Sequence, residues 1–292
     1  MFEDIKKNKI KTGAIISIFI LIITLITYYI CMAFDLGYIS ILIALLFSIG
    51  SAFLSYYNCD KIVLSINKAR PANEIEYQKL NNILDALMIS SNLEFRPKLY
   101  VVDDNQPNAF ATGRDPEHSV ICVTTALLDT LDYYELEGVI AHELSHIANY
   151  DIRLSAIVTV MVGVIVMLSD IFTRSFIYRD NDRDSDSKGN GIVMLLGLIC
   201  LIISPIFAKL LQFAVSRRRE YLADATAVQF TRNPDGLISA LIKISQDPNE
   251  LQNASKSTAH MYISNPFRDK KTNWFSTHPA IEDRIEALKN IK

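Results

Sequence analysis

Cysteine is sparse in this 292-residue sequence, and its four cysteines form no short-spaced pair. A zinc ribbon or a redox-active dithiol needs two cysteines a few residues apart, so both kinds of site are excluded. We interpret the cysteines as small buried apolar residues of a chain whose soluble part lies in a reducing compartment. They are Cys31, Cys59, Cys122 and Cys200.

An excess of basic charge is also missing. The 29 lysines and arginines are balanced by 32 aspartates and glutamates, which gives a formal net charge of −3. No basic domain or arginine-rich stripe interrupts this balance, so nucleic acid is not an expected partner.

Two long runs without a charged residue are present, Gly13–Phe34 and Leu36–Asn58, separated only by Asp35. Each run is long enough to cross the roughly 30 Å hydrocarbon core of a membrane as a helix. The first run is longer than the apolar part of a cleaved signal peptide, which indicates a retained anchor. Residues 1–59 are therefore predicted to form a transmembrane hairpin, with spans over residues 13–34 and 36–57 and a tight turn between them. A buried helical hairpin of a soluble protein is the alternative.

Basic residues flank both ends of this hairpin. Because lysine and arginine concentrate on the cytosolic side of a membrane, both ends are predicted to lie in the cytosol. The flanking residues are Lys6, Lys7, Lys9 and Lys11 before the hairpin, and Lys61, Lys68 and Arg70 after it.

Residues 60–153 have the composition of a soluble domain and are predicted to form the first part of a catalytic domain. Asn73 with Glu76, and Asp132 with Glu135, match the capping-box pattern of a helix start. Short segments between the two helices are rich in β-branched and aromatic residues, which predicts a small sheet. The expected strands are Lys98–Asp103, Ala109–Gly113 and Val120–Thr124.

Two weaker apolar runs follow, Leu154–Ser169 and Ile192–Ala208, with a loop at 173–191 between them. Their lengths are near the guideline of about 18 residues for a membrane helix, so residues 154–216 are predicted to add a second pair of spans. The alternative is a pair of long helices packed on the domain or lying at the membrane interface. Residues 217–292 then form the second part of the catalytic domain, with helices at Gly236–Gln246 and from Pro279 onward.

The strongest chemical signal is the sequence His142-Glu143-Leu144-Ser145-His146. Residues four apart lie about 6 Å apart along one face of a helix, so the two imidazoles can converge on one Zn²⁺ ion. Glu143 lies beside the pair, where a carboxylate can take a proton from an activated water. The alternative is a solvated helix face with two histidines by chance, but the apolar residues around the motif indicate a buried helix.

A catalytic zinc site needs a third protein ligand, and Glu220 is the candidate. Asp224 follows one turn later on the same face and could orient a histidine ring through a hydrogen bond. The alternative is that both carboxylates are surface charges paired with Arg217–Arg219. If Glu220 completes the site, the two apolar runs before it must both cross the membrane or both stay outside it.

The residues Asn108, Ala109, Phe110 and Ala111 are predicted to begin a strand whose edge binds an extended peptide. In this interpretation Asn108 holds the peptide backbone. The alternative, an ordinary arm of a β-hairpin, stays open at this point.

His278 precedes the terminal helix and could donate a hydrogen bond to the oxyanion that forms during peptide hydrolysis. A helix-capping or surface histidine is the alternative. His118 and His260 have no partner pattern and are interpreted as structural.

Taken together, these motifs resemble those of the HtpX-type membrane proteases, relatives of the CAAX prenyl proteases. The resemblance covers nearly the whole chain and follows the same order of motifs. Besides the amino-terminal hairpin, it includes Pro-Asn-Ala-Phe-Ala-Thr-Gly at 107–113, Val-Ile-Ala-His-Glu-Leu-Ser-His-Ile at 139–147, Arg-Arg-Arg-Glu-Tyr-Leu-Ala-Asp-Ala at 217–225, Phe-Ser-Thr-His-Pro at 275–279 and Arg284-Ile285. The family often has a second proline after His-Pro, where this chain has Ala280.

The resemblance implies an α+β, mainly α, gluzincin-like fold with a small sheet packed on the motif helix and two to four transmembrane helices. It implies one Zn²⁺ per chain held by His142, His146 and Glu220, with Glu143 as general base and Asp224 as the residue that orients a ligand. The expected protein is a multi-pass enzyme of a prokaryotic plasma membrane that cleaves misfolded or damaged membrane proteins from the cytosolic side. The alternatives are a non-proteolytic scaffold with a structural zinc and a different zinc hydrolase, such as a deformylase.

Overall fold

The computed structural model describes residues 2–33, 37, 39–164, 216–253, 255, 257–266 and 279–291. The predicted loop 173–191, the predicted span 192–208, the end of the run 154–169 and His278 lie outside the described residues. The predictions for these segments therefore stay predictions.

The amino-terminal part is a pair of long helices, α1 (Phe2–Ala33) and α2 (Ile39–Tyr57). The stretches Asn8–Tyr28 and Ile39–Tyr57 are long and apolar enough to cross a membrane. Gly37, between the helices, has a positive φ of 57°, a conformation that glycine adopts without strain. The tight turn predicted at Asp35–Gly37 thus contains a residue suited to reversing the chain.

Small side chains bring α2 against α1, while its large apolar side chains point away. Across the contact, the hydroxyls of Thr24 and Ser48 lie 2.7 Å apart. Leu46 and Phe53 are 64% and 60% exposed. Large apolar residues outside and small or hydroxylated residues inside are what a helix pair in lipid requires. The buried residues of α2 are Ser40, Ala44, Ser48, Ala52 and Ser55.

A small sheet follows the hairpin, as the sequence predicts, but it has a fourth strand that the sequence does not predict. The elements of this region are α3 (Cys59–Ile66), β1 (Arg70–Pro71), α4 (Glu74–Ser91), β2 (Lys98–Val102), β3 (Ala109–Gly113) and β4 (Ser119–Thr124). The strand order is β1-β2-β4-β3, with β2 parallel to β4 and the other two pairs antiparallel. This order places β3 at one edge.

The remaining described elements are helices. They are α5 (Thr125–Thr130), α6 (Tyr133–Ala148), α7 (Asp151–Val164), α8 (Arg217–Thr231), α9 (Pro234–Gln246) and α10 (Ile281–Lys289), with single 3₁₀ turns at Pro116–His118 and Ala259–Met261. The fold class is confirmed: the described chain is mainly helical with one small sheet. The terminal helix is predicted to begin at Pro279, but it begins two residues later, at Ile281, after Pro279 and Ala280.

The helix α6 runs through the middle of the core. It begins with a complete capping box, in which the Asp132 side chain accepts from the Glu135 N–H and the Glu135 side chain accepts from the Asp132 N–H. Gly138 allows α9 to pack very closely, because a Cβ atom there would lie 2.8 Å from the backbone nitrogen of Leu237. Since α6 is buried by the sheet, α4, α8 and α9, its position is fixed from all sides.

The chain bends sharply after α6. Tyr150 has a positive φ of 60°, and the axes of α6 and α7 differ in direction by 82°. The described part of α7 packs against α1, with Ile157 and Met161 in one apolar cluster with Phe19. The end of α6 is therefore close to the membrane hairpin.

Candidate metal centre and active site

Three side chains from two helices converge on one point. The Nε2 atoms of His142 and His146 lie 3.2 Å apart. Nε2 of His142 lies 3.7 Å from Oε2 of Glu220, and Nε2 of His146 lies 3.7 Å from Oε1 of the same carboxylate. Three ligand atoms about 2.0–2.2 Å from a tetrahedral zinc ion lie about 3.3–3.5 Å from one another, so this donor set fits such an ion. Two neutral imidazoles and a carboxylate are also the chemistry that a catalytic zinc ion accepts.

The helix α8 brings Glu220 to the two histidines. Glu220 and Asp224 lie one turn apart on the face of α8 that packs on α6, and they are 7% and 2% exposed. Ala223 and Ala227 on this helix are fully or almost fully buried, which allows α6 and α8 to approach closely. The structure thus brings together the ligand residues predicted from two distant segments.

Asp224 contacts His142. One oxygen of the Asp224 carboxylate lies 2.9 Å from Nδ1 of His142 and accepts a 2.6 Å hydrogen bond from Nη2 of Arg284. Since an ionised carboxylate only accepts, Nδ1 of His142 carries its hydrogen, and the lone pair of Nε2 points toward Glu220 and His146. Burial raises the pKa of Asp224, but the charge and hydrogen bonds of Arg284 outweigh it and hold the pKa below its usual range.

Asp151 orients the second histidine, and the sequence analysis did not identify this residue. Its Oδ2 lies 3.1 Å from Nδ1 of His146. Burial lowers the pKa of His146, but Asp151 and Glu220 outweigh this effect and raise the pKa to about 9. These carboxylates stabilise positive charge at the ring. That charge belongs either to a protonated imidazolium ring or to a divalent cation held by the neutral imidazole. The sequence signal for Asp151 is its position just after the end of α6. Its side chain faces the ring of His146 because the chain bends at Tyr150.

Glu143 lies next to the three candidate ligands and is 1% exposed. Burial raises its pKa to about 7, with a further contribution from the charge of Glu220, while a backbone hydrogen bond of Ala111 lowers it. A carboxyl group with a pKa near neutrality is suited to accept and release a proton.

A cleft opens over these residues. Ala111 of the edge strand β3, His260 and Tyr262 are among the residues that line it. His260, interpreted from the sequence as structural, lines the cleft and is only 6% exposed. His118 contacts Asp115 at a helix cap, away from the cleft.

The edge strand is partly covered. The N–H of Ile263 donates to the carbonyl of Ala109, and the Asn108 side chain is bonded to the backbone of Ser264 in both directions. The Asn108 amide therefore holds the segment 257–266 against β3. Along this strand, Ala111 is the predicted substrate contact that lines the cleft.

Comparison with known proteins identifies the family. The model of peptidase family M48 matches residues 74–292, which include all of the residues described above for the candidate site. The chain belongs to peptidase family M48. This places the His142–His146–Glu220 group in a family of metallopeptidases and accounts for a donor set that fits a metal ion.

Relatives within this family match along their whole length. A protease HtpX homologue of Dictyoglomus thermophilum is 46% identical over 288 residues, which cover 99% of this chain and 94% of the relative. One from Caldanaerobacter subterraneus subsp. tengcongensis is 42% identical, with coverage of 100% and 98%. The resemblance to HtpX-type proteases is thus confirmed.

A solved structure has the same fold. The crystal structure of S. mikatae Ste24p superposes with a TM-score of 0.51 and covers 99% of this chain and 67% of its own. The sequence identity is 18%, so the likeness concerns the fold alone. With the two apolar helices, the M48 match describes a membrane-associated metallopeptidase.

Proposed function

We propose that the protein is a zinc-dependent endopeptidase that cleaves membrane or misfolded proteins at the cytosolic face of the membrane. The single observation that carries this proposal is the convergence of three side chains, with 3.2 Å between the two Nε2 atoms and 3.7 Å from each of them to one of the two carboxylate oxygens of Glu220. In this proposal His142, His146 and Glu220 bind one Zn²⁺ per chain.

The number of ligands favours catalysis over structure. A structural zinc site normally has four protein ligands, whereas a catalytic site has three and keeps one position open. Among the residues that the structure describes, the candidate group contains three. The rival function, a non-proteolytic scaffold stapled by zinc, needs a fourth.

Glu143 has the position of a general base, buried beside the three candidate ligands. The chemistry that a bound zinc ion supplies is Lewis-acid activation of a water molecule and of the substrate carbonyl. The Glu143 carboxylate would accept a proton from the attacking water as its oxygen bonds to the carbonyl carbon, and would return that proton to the amine nitrogen as the C–N bond breaks. Because Glu143 is buried at the floor of the cleft, bulk water does not compete for this proton. The prediction that His278 assists at the oxyanion belongs to the same proposal.

The edge of strand β3 is suited to bind a peptide substrate. Backbone groups alternate in direction along a strand, so Ala111 faces the same free edge as Ala109, whose carbonyl accepts from Ile263. Ala111 also contacts the cleft beside Glu143. An extended peptide that pairs with this edge places its backbone next to the candidate base.

The orientation follows from the charges that flank the hairpin. Lys6, Lys7, Lys9 and Lys11 lie in the first turns of α1, before its uncharged run, and Lys61, Lys68 and Arg70 follow α2, so both ends lie in the cytosol of a prokaryotic cell. We assign residues 60–153 and 217–292 to one catalytic unit on that side. A protease held at this surface is suited to quality control, because damaged membrane proteins expose their loops there.

The proposal is tested by comparing wild type with Glu143→Gln. Cleavage by each is measured with a loop-containing membrane substrate and with casein. Wild type is expected to contain zinc and to cleave both substrates until a chelator is added. Glu143→Gln is expected to bind the same amount of zinc without cleavage, because glutamine keeps the shape and loses the base. Unchanged cleavage by Glu143→Gln would refute the assignment, and zinc without any cleavage by wild type would favour the scaffold. A deformylase would instead remove formyl groups and leave casein intact.

A further inference from the structure

A buried asparagine stands at the start of the first membrane helix. Asn8 is the first residue of the apolar stretch Asn8–Tyr28 and is only 4% exposed, whereas Ile10 beside it is 62% exposed. A buried amide costs free energy unless its polar atoms are hydrogen-bonded. The partners of Asn8 therefore explain why it is there.

Those partners belong to the end of the motif helix. The Nδ2 atom of Asn8 donates to Oδ1 of Asp151 at 2.8 Å and to the carbonyl of Asn149 at 3.2 Å. Both partners follow α6 within a few residues of His146. More than 140 residues of sequence separate Asn8 from them, so the contact joins the membrane hairpin to the candidate metal centre.

Asp151 carries the contact to the ring. Its two oxygens have different partners: Oδ1 faces Asn8, and Oδ2 lies 3.1 Å from Nδ1 of His146. Arg219 is nearby, but its Nε lies 3.6 Å from Oδ1, beyond the length of a good hydrogen bond. Asn8 thus makes the shortest hydrogen bond that orients this carboxylate.

The other histidine is held differently. The carboxylate next to His142 is fixed by Arg284, which is buried inside the catalytic unit and contacts both of its oxygens. The carboxylate next to His146 accepts a 2.8 Å hydrogen bond from Asn8 of α1, which lies outside this unit. It also lies 3.6 Å from Arg219 of the catalytic unit, whose Nη1 is 3.5 Å from Oδ1 of Asn8. One candidate ligand is therefore oriented from within the domain, and the other with a contribution from the membrane helix.

We propose that Asn8 is a positioning residue for His146, acting through Asp151, so that the first membrane helix is a working part of the metal centre. This inference rests on the proposed zinc site. It assigns to the hairpin a role beyond anchoring: a change in the position of α1 relative to α6 changes the affinity for zinc and the rate of cleavage.

The test uses the full chain in detergent micelles and four substitutions. Asn8→Leu keeps the approximate size of the side chain, suits a membrane helix and removes the amide. Asn8→Gln keeps the amide, and Asp151→Asn removes the carboxylate. Thr12→Val is the matched control, because Thr12 lies one turn further along α1, is 4% exposed, and its hydroxyl has no hydrogen-bond partner among the described residues.

Three properties are measured for each variant. They are the zinc affinity by chelator competition, kcat and KM on a model peptide, and the visible spectrum of the cobalt-substituted protein. Changing a residue that orients a metal ligand costs about 10- to 100-fold in metal affinity, and we expect Asp151→Asn to fall in this range. Asn8→Leu is expected to weaken zinc binding about 3- to 10-fold, to lower kcat without changing KM, and to shift the cobalt spectrum. Asn8→Gln should recover part of the loss, and Thr12→Val should match wild type.

The double variant Asn8→Leu/Asp151→Asn separates positioning from a general loss of stability. If Asn8 acts through Asp151, the double variant binds zinc as Asp151→Asn alone does. Additive losses would overturn the proposal, as would Asn8→Leu with wild-type zinc affinity and kcat, or an equal loss in Thr12→Val. If wild type itself neither binds zinc nor cleaves peptides, the proposed function fails. A zinc-containing, active wild type with an unaffected Asn8→Leu refutes only this inference.

Discussion

Arg284 donates to both oxygens of the Asp224 carboxylate, with Nε 2.8 Å from Oδ2 and Nη2 2.6 Å from Oδ1. Both side chains are almost completely buried. Arg284 also donates to the carbonyl of Ile263 at 3.0 Å, so it ties α8 to the segment that lines the cleft. The pair therefore stabilises the fold and orients His142 at once.

Arg284→Met is expected to lower the stability of the protein substantially. Removing one partner of a buried ion pair costs about 3–5 kcal/mol, because the other charge is left without compensation. Thermal unfolding in micelles with excess chelator measures this loss without a contribution from metal. Arg284→Lys keeps the charge but not the paired geometry. Its melting temperature should lie between those of wild type and Arg284→Met. A melting temperature for Arg284→Met equal to that of wild type would contradict the structural role assigned to the pair.

Asp224→Asn is expected to weaken metal binding and also to lower stability, because Arg284 loses its charge partner; metal binding is therefore measured well below the melting temperature of the variant. The asparagine keeps the size of the side chain but no longer favours hydrogen at Nδ1 of His142, so Nε2 becomes a poorer ligand. The expected loss of zinc affinity is about 10- to 100-fold. Chelator competition measures it, and unchanged affinity would show that Asp224 does not orient the ring.

The Glu135 carboxylate predicts a pH-dependent stability difference. Burial raises its pKa, but hydrogen bonds from Lys243 and Ser239 and from the Asp132 N–H outweigh this effect, so the pKa is lowered. A lowered pKa in the folded state stabilises the protein above the unfolded pKa of about 4.3, and this contribution disappears as the pH falls through the folded value.

Glu135→Gln isolates that contribution, because glutamine can still complete a capping box. The melting temperature of the variant should lie below that of wild type at pH 7. The gap should stay constant down to about pH 5 and close as the pH falls below about 4. A gap that does not change with pH would show that packing, rather than charge, distinguishes the two proteins.

Local sequence patterns predicted the elements that carry the site. The helical spacing of four apolar residues predicts one buried face of α4, and all four are buried: Leu80, Ile83, Leu84 and Leu87. Both predicted capping boxes form. The strand Ala109–Gly113 has the predicted bounds, and the strand predicted at Val120–Thr124 begins one residue earlier. These features depend on neighbours within a few residues, which is why the sequence alone is enough.

Features that depend on distant contacts were missed. The parallel pairing of β2 with β4, the short strand at Arg70–Pro71 and the helix Cys59–Ile66 were not predicted. The pairing of Asp151 with His146 requires the left-handed turn at Tyr150, and its contact with Asn8 joins residues 143 positions apart in the sequence. No periodicity or spacing within one segment encodes such contacts.

Zinc content is the most direct test of the central claim that His142, His146 and Glu220 form one metal site. Purified wild type and Glu220→Ala are dialysed under identical conditions, and zinc per chain is determined by elemental analysis. We predict one zinc per wild-type chain and a large loss in Glu220→Ala with the melting temperature in chelator unchanged. An active wild type without zinc, or a Glu220→Ala variant that keeps a full equivalent of zinc, would contradict the account.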